Sequence, residues 1–234
     1  MQHDWFLAKT PAAARGPGRT PGRFADRADA GRRLAEQVAR LDLSDPVVLG
    51  LSRGGVPIAR EIADRLGVAA DVFVARKIAV PGIPELGIAA IAEGLDEVVL
   101  GPQATRLGLD GARLAALAGP ERRELERRIA VYRGGRALPD LAGRDVVVAD
   151  DGLATGVTAR AALRALRNRG PRRLVLAAPV CAPQAAADLA PLADAFVSIL
   201  TPRRFQAVSQ WYADFGQLRD ADVVALLTTA RPGP

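Results

Sequence analysis

Two carboxylates side by side at the end of an apolar run are the residues of this chain best placed to do chemistry. Val146-Val147-Val148-Ala149 leads directly into Asp150-Asp151-Gly152-Leu153-Ala154-Thr155-Gly156-Val157-Thr158. The short, continuous β-branched run reads as a strand buried on both faces of a parallel sheet. Its carboxylates then stand at the C-terminal edge, where open α/β sheets bind ligands. Ala161, Ala162, Leu163, Ala165 and Leu166 suit a helix starting near Thr155, whose free N-terminal amides favour a phosphate. Thr155, Gly156 and Thr158 can wrap a monophosphate with backbone N–H groups and two hydroxyls, Gly156 letting the main chain come close. Carboxylates repel phosphate but accept hydrogen bonds from hydroxyls. The matching ligand therefore carries a diol beside its phosphate, as a ribose 5-phosphate does. The plain alternative is an acidic turn capping an ordinary helix.

A second cluster lies upstream. The apolar run from Pro46 to Leu51 enters Ser52-Arg53-Gly54-Gly55 and then a helical stretch from Ile58 to Leu66. Strand, diglycine turn and helix make an anion cradle with a guanidinium in it, although the turn alone is equally consistent with a plain tight bend. The strand expected over Asp71 to Ala75 ends at Arg76-Lys77. With only two lysines beside 30 arginines, Lys77 reads as a compact ammonium chosen to neutralise a phosphate oxygen, or else as a surface cation. Glu85 is the acidic candidate of the following stretch, with a structural role the simpler account. Phe205, Trp211, Tyr212 and Phe215 fall within eleven residues and could stack on a planar acceptor or glue the C-terminal segment to the sheet.

The elements needed to hold these residues can be read along the chain. Asp26 caps an amphipathic helix to about Leu41, with Ala30, Leu34 and Val38 on its inner face. Between Pro81 and Gly143 the pattern loosens to a small hairpin, Leu86 to Ala92 with Val98 to Leu100, and a charged helix from Pro120 to Tyr132. Arg173 to Val180 and Phe196 to Leu200 are further strands around an alanine-rich helix, Pro183 to Leu192. Strands alternating with helices predict a parallel α/β sheet. The boundaries that follow are an extension over residues 1–22, rich in Pro and Gly, and one domain over 23–234. Within it lie a core at about 45–200, an insertion at about 78–143 and a C-terminal hood at about 201–230.

Composition narrows the function classes. Hydrophobic content of 49% with 25% charge is globular, and no apolar run approaches the roughly 20 residues that span a bilayer. The single Cys181 suits a reducing cytoplasm, and one histidine, His3, removes His-ligated metals and Ser-His-Asp triads. The net charge of +6 sits in residues 1–23 and 121–136, at +3 each, which a solvated tail and helix face explain better than a nucleic-acid groove.

Asp-Asp-x-x-Ala-Thr-Gly-x-Thr after an apolar strand resembles the phosphoribosyl-pyrophosphate (PRPP) motif of type I phosphoribosyltransferases. Gly50 to Pro57, Arg76-Lys77-Ile78 with Pro81 to Glu85, Ala149 to Thr158, Ala177 to Val180 and Phe205 with Trp211 to Phe215 look like the bacterial members assigned largely by sequence. The resemblance spans about residues 23 to 230. It implies a parallel sheet flanked by helices, a small hood and a mobile loop in the insertion that covers the reacting centre. It also implies transfer of ribose 5-phosphate from PRPP to a small nitrogen nucleophile, with Mg²⁺ held through PRPP and water near Asp150 and Asp151.

The residue roles carried by the resemblance are these. Ser52, Arg53, Gly54 and Gly55 form the pyrophosphate loop and Asp150 to Gly152 and Ala154 to Thr158 bind ribose and phosphate; beside them Arg53, Lys77 and Glu85 are the candidates at the chemistry, and Trp211 with Tyr212 the candidates to meet the acceptor. Ala154 replaces the aspartate that contacts the ring in 6-oxopurine enzymes, which disfavours hypoxanthine and guanine. A homodimer is admitted, a membrane is not expected, and the rival reading is a non-catalytic PRPP or nucleotide sensor on the same fold.

Overall fold

The computed structural model describes residues 22–80, 83–101, 104 and 111–228. The expected extension over 1–22 falls almost wholly outside them, as does part of the covering loop expected within 78–143. Among the described residues no helix is long and apolar enough to cross a membrane.

Five parallel strands form the central sheet in the order β2-β1-β6-β7-β8: β1 (Val47–Leu51), β2 (Ala70–Phe73), β6 (Asp145–Ala149), β7 (Arg173–Val180) and β8 (Ala195–Leu200). Beyond the first residues Asp145 and Arg173, each central strand is apolar because each of its faces meets a helical layer. Val48, Val147, Ala149, Val175 and Ala177 point to one side, where they pack with α1 (Arg27–Val38) and α2 (Gly55–Leu66). Leu49, Leu51, Val146, Val148, Leu174 and Leu176 point to the other, towards α4 (Val157–Arg167) and α5 (Pro183–Leu189). β6 starts one residue before the apolar run. The buried Asp145 carboxylate can join it because it accepts from the Ser44 amide at 2.9 Å and from Arg172.

The strand expected over 71–75 divides. At Val74 the amide donates to the Glu93 carboxylate and the carbonyl accepts from the Glu93 amide, both at 3.0 Å, so the chain leaves the parallel sheet. It re-enters an antiparallel sheet of β3 (Ala75–Val80), β4 (Ile83–Ala92) and β5 (Val99–Leu100), which contains the anticipated hairpin and adds a strand to it. Arg76-Lys77 thus lies inside β3 rather than at the end of a core strand.

The charged helix is also longer and less solvated than its composition suggests. α3 runs Gly111–Arg133 through Pro120, and its last residue, Arg133, is buried with its guanidinium donating to Glu93 at 2.5 Å and to the Val72 carbonyl at 2.8 Å. Towards its N-terminus Arg76 binds Glu121, which pins the helix across β3. The alanine-rich helix stops at Leu189 and tightens into a 3₁₀ turn over Ala190–Leu192, where Pro191 has no N–H to donate.

The C-terminal segment divides in two. Phe205, Val208, Trp211 and Phe215 pack over the core beside α1, while α6 (Asp220–Thr228) lies against α2 and α3. Phe24 clamps the first part: its amide donates to the Trp211 carbonyl, and its carbonyl accepts from the Ala213 amide, both at 2.8 Å. The start of α1 is thereby fixed to the hood, close to the edge where β1 and β6 end.

Candidate active site

β1 and β6 are neighbours in register, Gly50 opposite Ala149, so the turns that follow them leave the sheet side by side. A Cβ on Gly55 would stand 2.2 Å from the Ala149 carbonyl oxygen, and one on Gly54 would stand 2.0 Å from the Asp151 carboxylate. The diglycine is therefore demanded by contact between the two turns. Gly55→Ala should displace the Ser52–Gly55 turn, at a stability cost of about 1–3 kcal/mol for overpacking. A denaturant titration of the variant against the parent measures that loss.

α4 starts at Val157, two residues later than the sequence pattern suggests. Gly156 takes φ +69 as its cap, a conformation that L side chains rarely adopt, and a Cβ there would also strike Leu189 at 2.5 Å. The first-turn amides of Val157, Thr158 and Ala159 have no acceptor within the helix. Thr155 and Thr158 are half-buried beside them, and Ala154 is exposed.

The two carboxylates differ in support. The Asp150 side chain accepts from the Asp151 amide at 2.9 Å, and burial, followed by the Asp151 charge, pushes its carboxyl well above the usual range. Burial also raises Asp151, but Arg27 opposes it with an Nε–Oδ2 contact of 2.8 Å. Tyr212 donates its hydroxyl to the Asp151 carbonyl at 2.5 Å.

A cleft of about 430 Å³ opens at this edge, lined by Arg27, Arg53, Arg128, Asp151, Phe215 and Gln217 among others. Arg53 approaches Asp220 of α6 at 3.8 Å. The Asp220 carboxyl is held below its usual range by the Tyr132 hydroxyl at 2.7 Å and by Arg127. Arg128, bonded to Glu124 at 2.8 Å, brings a second guanidinium from α3 to the cleft. Cys181 contributes nothing reactive: it is buried, and burial pushes its thiol up to about 12.

The predicted residues are not all brought together. Gly54 and Gly55 meet the turn of Asp150 and Asp151 as described, and Arg53 lines the same cleft as Asp151. Lys77 lies exposed on β3, its stem running over Gly87, where a Cβ would come 2.6 Å from Lys77 Cδ and 3.3 Å from a Val157 methyl. The stem of Lys77 and the first residue of α4 therefore meet at Gly87, on the antiparallel sheet. The Glu85 backbone belongs to β4, and its side chain lies outside the described residues.

Tyr212 is no stacking platform. It is 1% exposed, its ring lies between Phe24 at 5.4 Å and Phe215 at 4.9 Å, and its hydroxyl is taken by Asp151. Trp211 is half-buried with Phe205 stacked on it at 6.4 Å, so one face is already covered. Tyr212→Ala should lower stability by about 3–5 kcal/mol, as for a large buried ring. It should weaken every ligand of the site together, which thermal melts and titrations on one preparation would test.

Sequence reasoning passed over Arg27 and Arg128. Neither falls in a motif, and among 30 arginines nothing in spacing marks them. The available signal for Arg27 is its place directly after the capping Asp26, which fixes where the helix begins.

The comparisons with known proteins fit this geometry. Residues 24–200 match the family model described as the phosphoribosyl transferase domain. The chain belongs to that family. Two Mycobacterium tuberculosis proteins, from strains CDC 1551 and H37Rv, are each 44% identical over 212 residues and carry provisional names as phosphoribosyl transferases. Those matches take in 88% of this chain and 47% of each relative, so the chain spans about half the length of the curated relatives it matches. The crystal structure of TT1426 from Thermus thermophilus is 46% identical, covering 88% of this chain and 97% of that one, with a TM-score of 0.73. The α/β architecture of this phosphoribosyl transferase domain is the one its motifs implied.

Proposed function

We propose that this chain moves the 5-phosphoribosyl group of PRPP to a nitrogen nucleophile and releases pyrophosphate. The observation that carries the reading is the contact between the two turns, with Gly54 against the Asp151 carboxylate and Gly55 against the Ala149 carbonyl. PRPP requires that arrangement, because its pyrophosphate is attached to the carbon beside the ribose diol. In this reading the amides of Val157, Thr158 and Ala159 and the hydroxyls of Thr155 and Thr158 take the 5-phosphate. Asp150 and Asp151 accept from the ribose hydroxyls, and Gly152, whose Cβ would strike Val208 at 2.5 Å, lets the hood close down on the turn. Ser52, whose hydroxyl is buried without a partner among the described residues, holds pyrophosphate with Arg53, Gly54 and Gly55.

As the ribosyl–oxygen bond breaks, positive charge grows on the ring and negative charge on pyrophosphate. The aspartates face the first; Arg53, with Lys77 bordering the site, offsets the second. Mg²⁺ would neutralise further charge on the pyrophosphate. The residues fit that ion when it arrives with substrate: two hard carboxylates stand at the edge, and among the described residues no three His, Cys, Asp or Glu side chains converge into a cage. Glu85 remains a candidate beside the reacting centre.

The acceptor's place is the hood side of the cleft, against Phe215 and Gln217. Ala154 offers a purine ring no carboxylate, so adenine-type or pyrimidine-type acceptors suit it better than hypoxanthine or guanine. The deciding experiment measures pyrophosphate release from PRPP and Mg²⁺ with a panel of nitrogenous acceptors. Turnover with one of them supports the proposal. Tight PRPP binding without turnover across the panel would instead make the protein a sensor.

A further inference from the structure

Arg27 has three partners at the cleft. Its Nε lies 2.8 Å from Asp151 Oδ2, its Nη1 donates to the Gly216 carbonyl at 2.8 Å, and its guanidinium carbon sits 3.9 Å over the centre of the Phe215 ring. The side chains of the ion pair are 13% and 14% exposed, so solvent screens the pair little. Three bonds then fix Asp151: its amide to Asp150, its carbonyl to Tyr212, and its carboxylate to Arg27, with Gly54 flush behind the carboxylate. Arg27 is the one cation among these partners, and it comes from α1, an element that carries none of the recognised motifs.

We propose that Arg27 is the positioning residue for Asp151: it aims the carboxylate at the ribose hydroxyls, balances its charge, and ties that aim to the closed position of the hood through Gly216 and Phe215. The inference rests on the assignment of Asp151 to the ribose. Its physical need follows from the surroundings of the carboxylate. Asp150 on the same turn and burial both work against a second negative charge, and Tyr212 from the hood supplies a neutral hydroxyl. Arg53 and Arg128 line the same cleft, but their nearer partners are Asp220 and Glu124. Without Arg27, Asp151 would hold its proton to higher pH and its carboxyl would turn freely against Gly54.

The test is a titration of Mg²⁺ with PRPP on Arg27→Gln and Arg27→Lys, each run with a melt of the ligand-free protein. Arg27→Gln should weaken PRPP by about tenfold or more, and the deficit should shrink as pH rises, because without the guanidinium burial holds the Asp151 proton to higher pH. The KM for PRPP should rise more than kcat falls. Arg27→Lys should restore part of the affinity, since charge returns without the planar stack on Phe215 or the second bond to Gly216. In an Asp151→Asn background Arg27→Gln should cost no further PRPP affinity. A pH-independent loss, or an equal loss with and without Asp151, would make Arg27 a structural strut and overturn the inference. Unchanged affinity in folded Arg27→Gln, with normal binding by the parent, overturns it alone; no PRPP binding by the parent at any pH overturns the ribose assignment and this inference with it.

Discussion

Asp150→Asn is expected to melt above the parent chain at about pH 8 and yet to bind PRPP about tenfold to a hundredfold more weakly, the equivalent of one charged hydrogen bond. The stabilising half follows from the environment of the carboxylate. Burial and the adjacent Asp151 charge raise the Asp150 carboxyl in the folded state above its unfolded value. A group shifted in that direction favours folding most when protonated, and the favour is lost as pH rises through the folded-state value. Above that value the parent carries a strained negative charge that the asparagine lacks. The introduced amide still accepts from the Asp151 N–H through its side-chain oxygen, so the turn keeps its shape.

A gain of about 1–2 kcal/mol is typical when a functional site is relieved in this way, and each kcal/mol moves the midpoint of a chain this size by about 2–4 °C. At about pH 5 the gain should be smaller than at pH 8, because the raised carboxyl takes up its proton as pH falls through its folded-state value. Binding moves the other way: an amide accepts less strongly from a ribose hydroxyl and removes charge from the side of the ring that becomes cationic. Melts at the two pH values and a PRPP titration check both halves. A variant that is less stable at pH 8, or that binds PRPP as the parent does, would refute the account.

How much of this was legible in the sequence varies with the range of the forces involved. Val146 to Ala149 and, after Arg173, Leu174 to Val180 could be read because strands covered on both faces are continuously apolar, and that pattern survives any detail of the packing. The diglycine at 54–55 could be read as a close approach, although what approaches it, Asp151 and the Ala149 carbonyl, is nearly a hundred residues away along the chain. Lys77 was misplaced by the turn at Val74, which depends on Glu93 capping both its backbone groups across the hairpin. Tyr212 could be offered either as an acceptor platform or as glue, because aromatic type alone does not reveal that Phe24, 188 positions earlier, covers it. Arg27 was invisible for the same reason: it reaches Asp151 only because Phe24 zips the start of α1 to Trp211 and Ala213. Elements built from local periodicity are legible, whereas partners brought together by the hood are not.

The second large effect expected is on stability, at a place remote in sequence from every motif. Glu93→Gln should destabilise the protein by about 3–5 kcal/mol, as removal of one member of a buried ion pair does. Arg133 and Glu93 are 4% and 5% exposed at their side chains and meet at 2.5 Å. The remaining carboxylate near Arg133, Asp71, stands 3.9 Å away and also faces Arg136 at 3.7 Å, so it is a poor substitute. Glutamine retains an oxygen for the Val74 amide, which confines the damage to the stranded guanidinium. The double variant Glu93→Gln, Arg133→Met should therefore lose much less than the sum of the single losses, since no charge is left buried without its partner. Arg133 ends the same helix that brings Arg128 to the cleft, and it ties that helix to the Val72 carbonyl of β2. The anchor sets where α3 lies without touching ligand, so folded Glu93→Gln should keep most of its PRPP affinity at temperatures below its midpoint. Denaturant titrations of the two single variants and the double variant decide the matter. Strictly additive losses would show that Glu93 and Arg133 act independently, and a single-variant loss below about 1 kcal/mol, the range of an exposed pair, would show that water reaches the cluster.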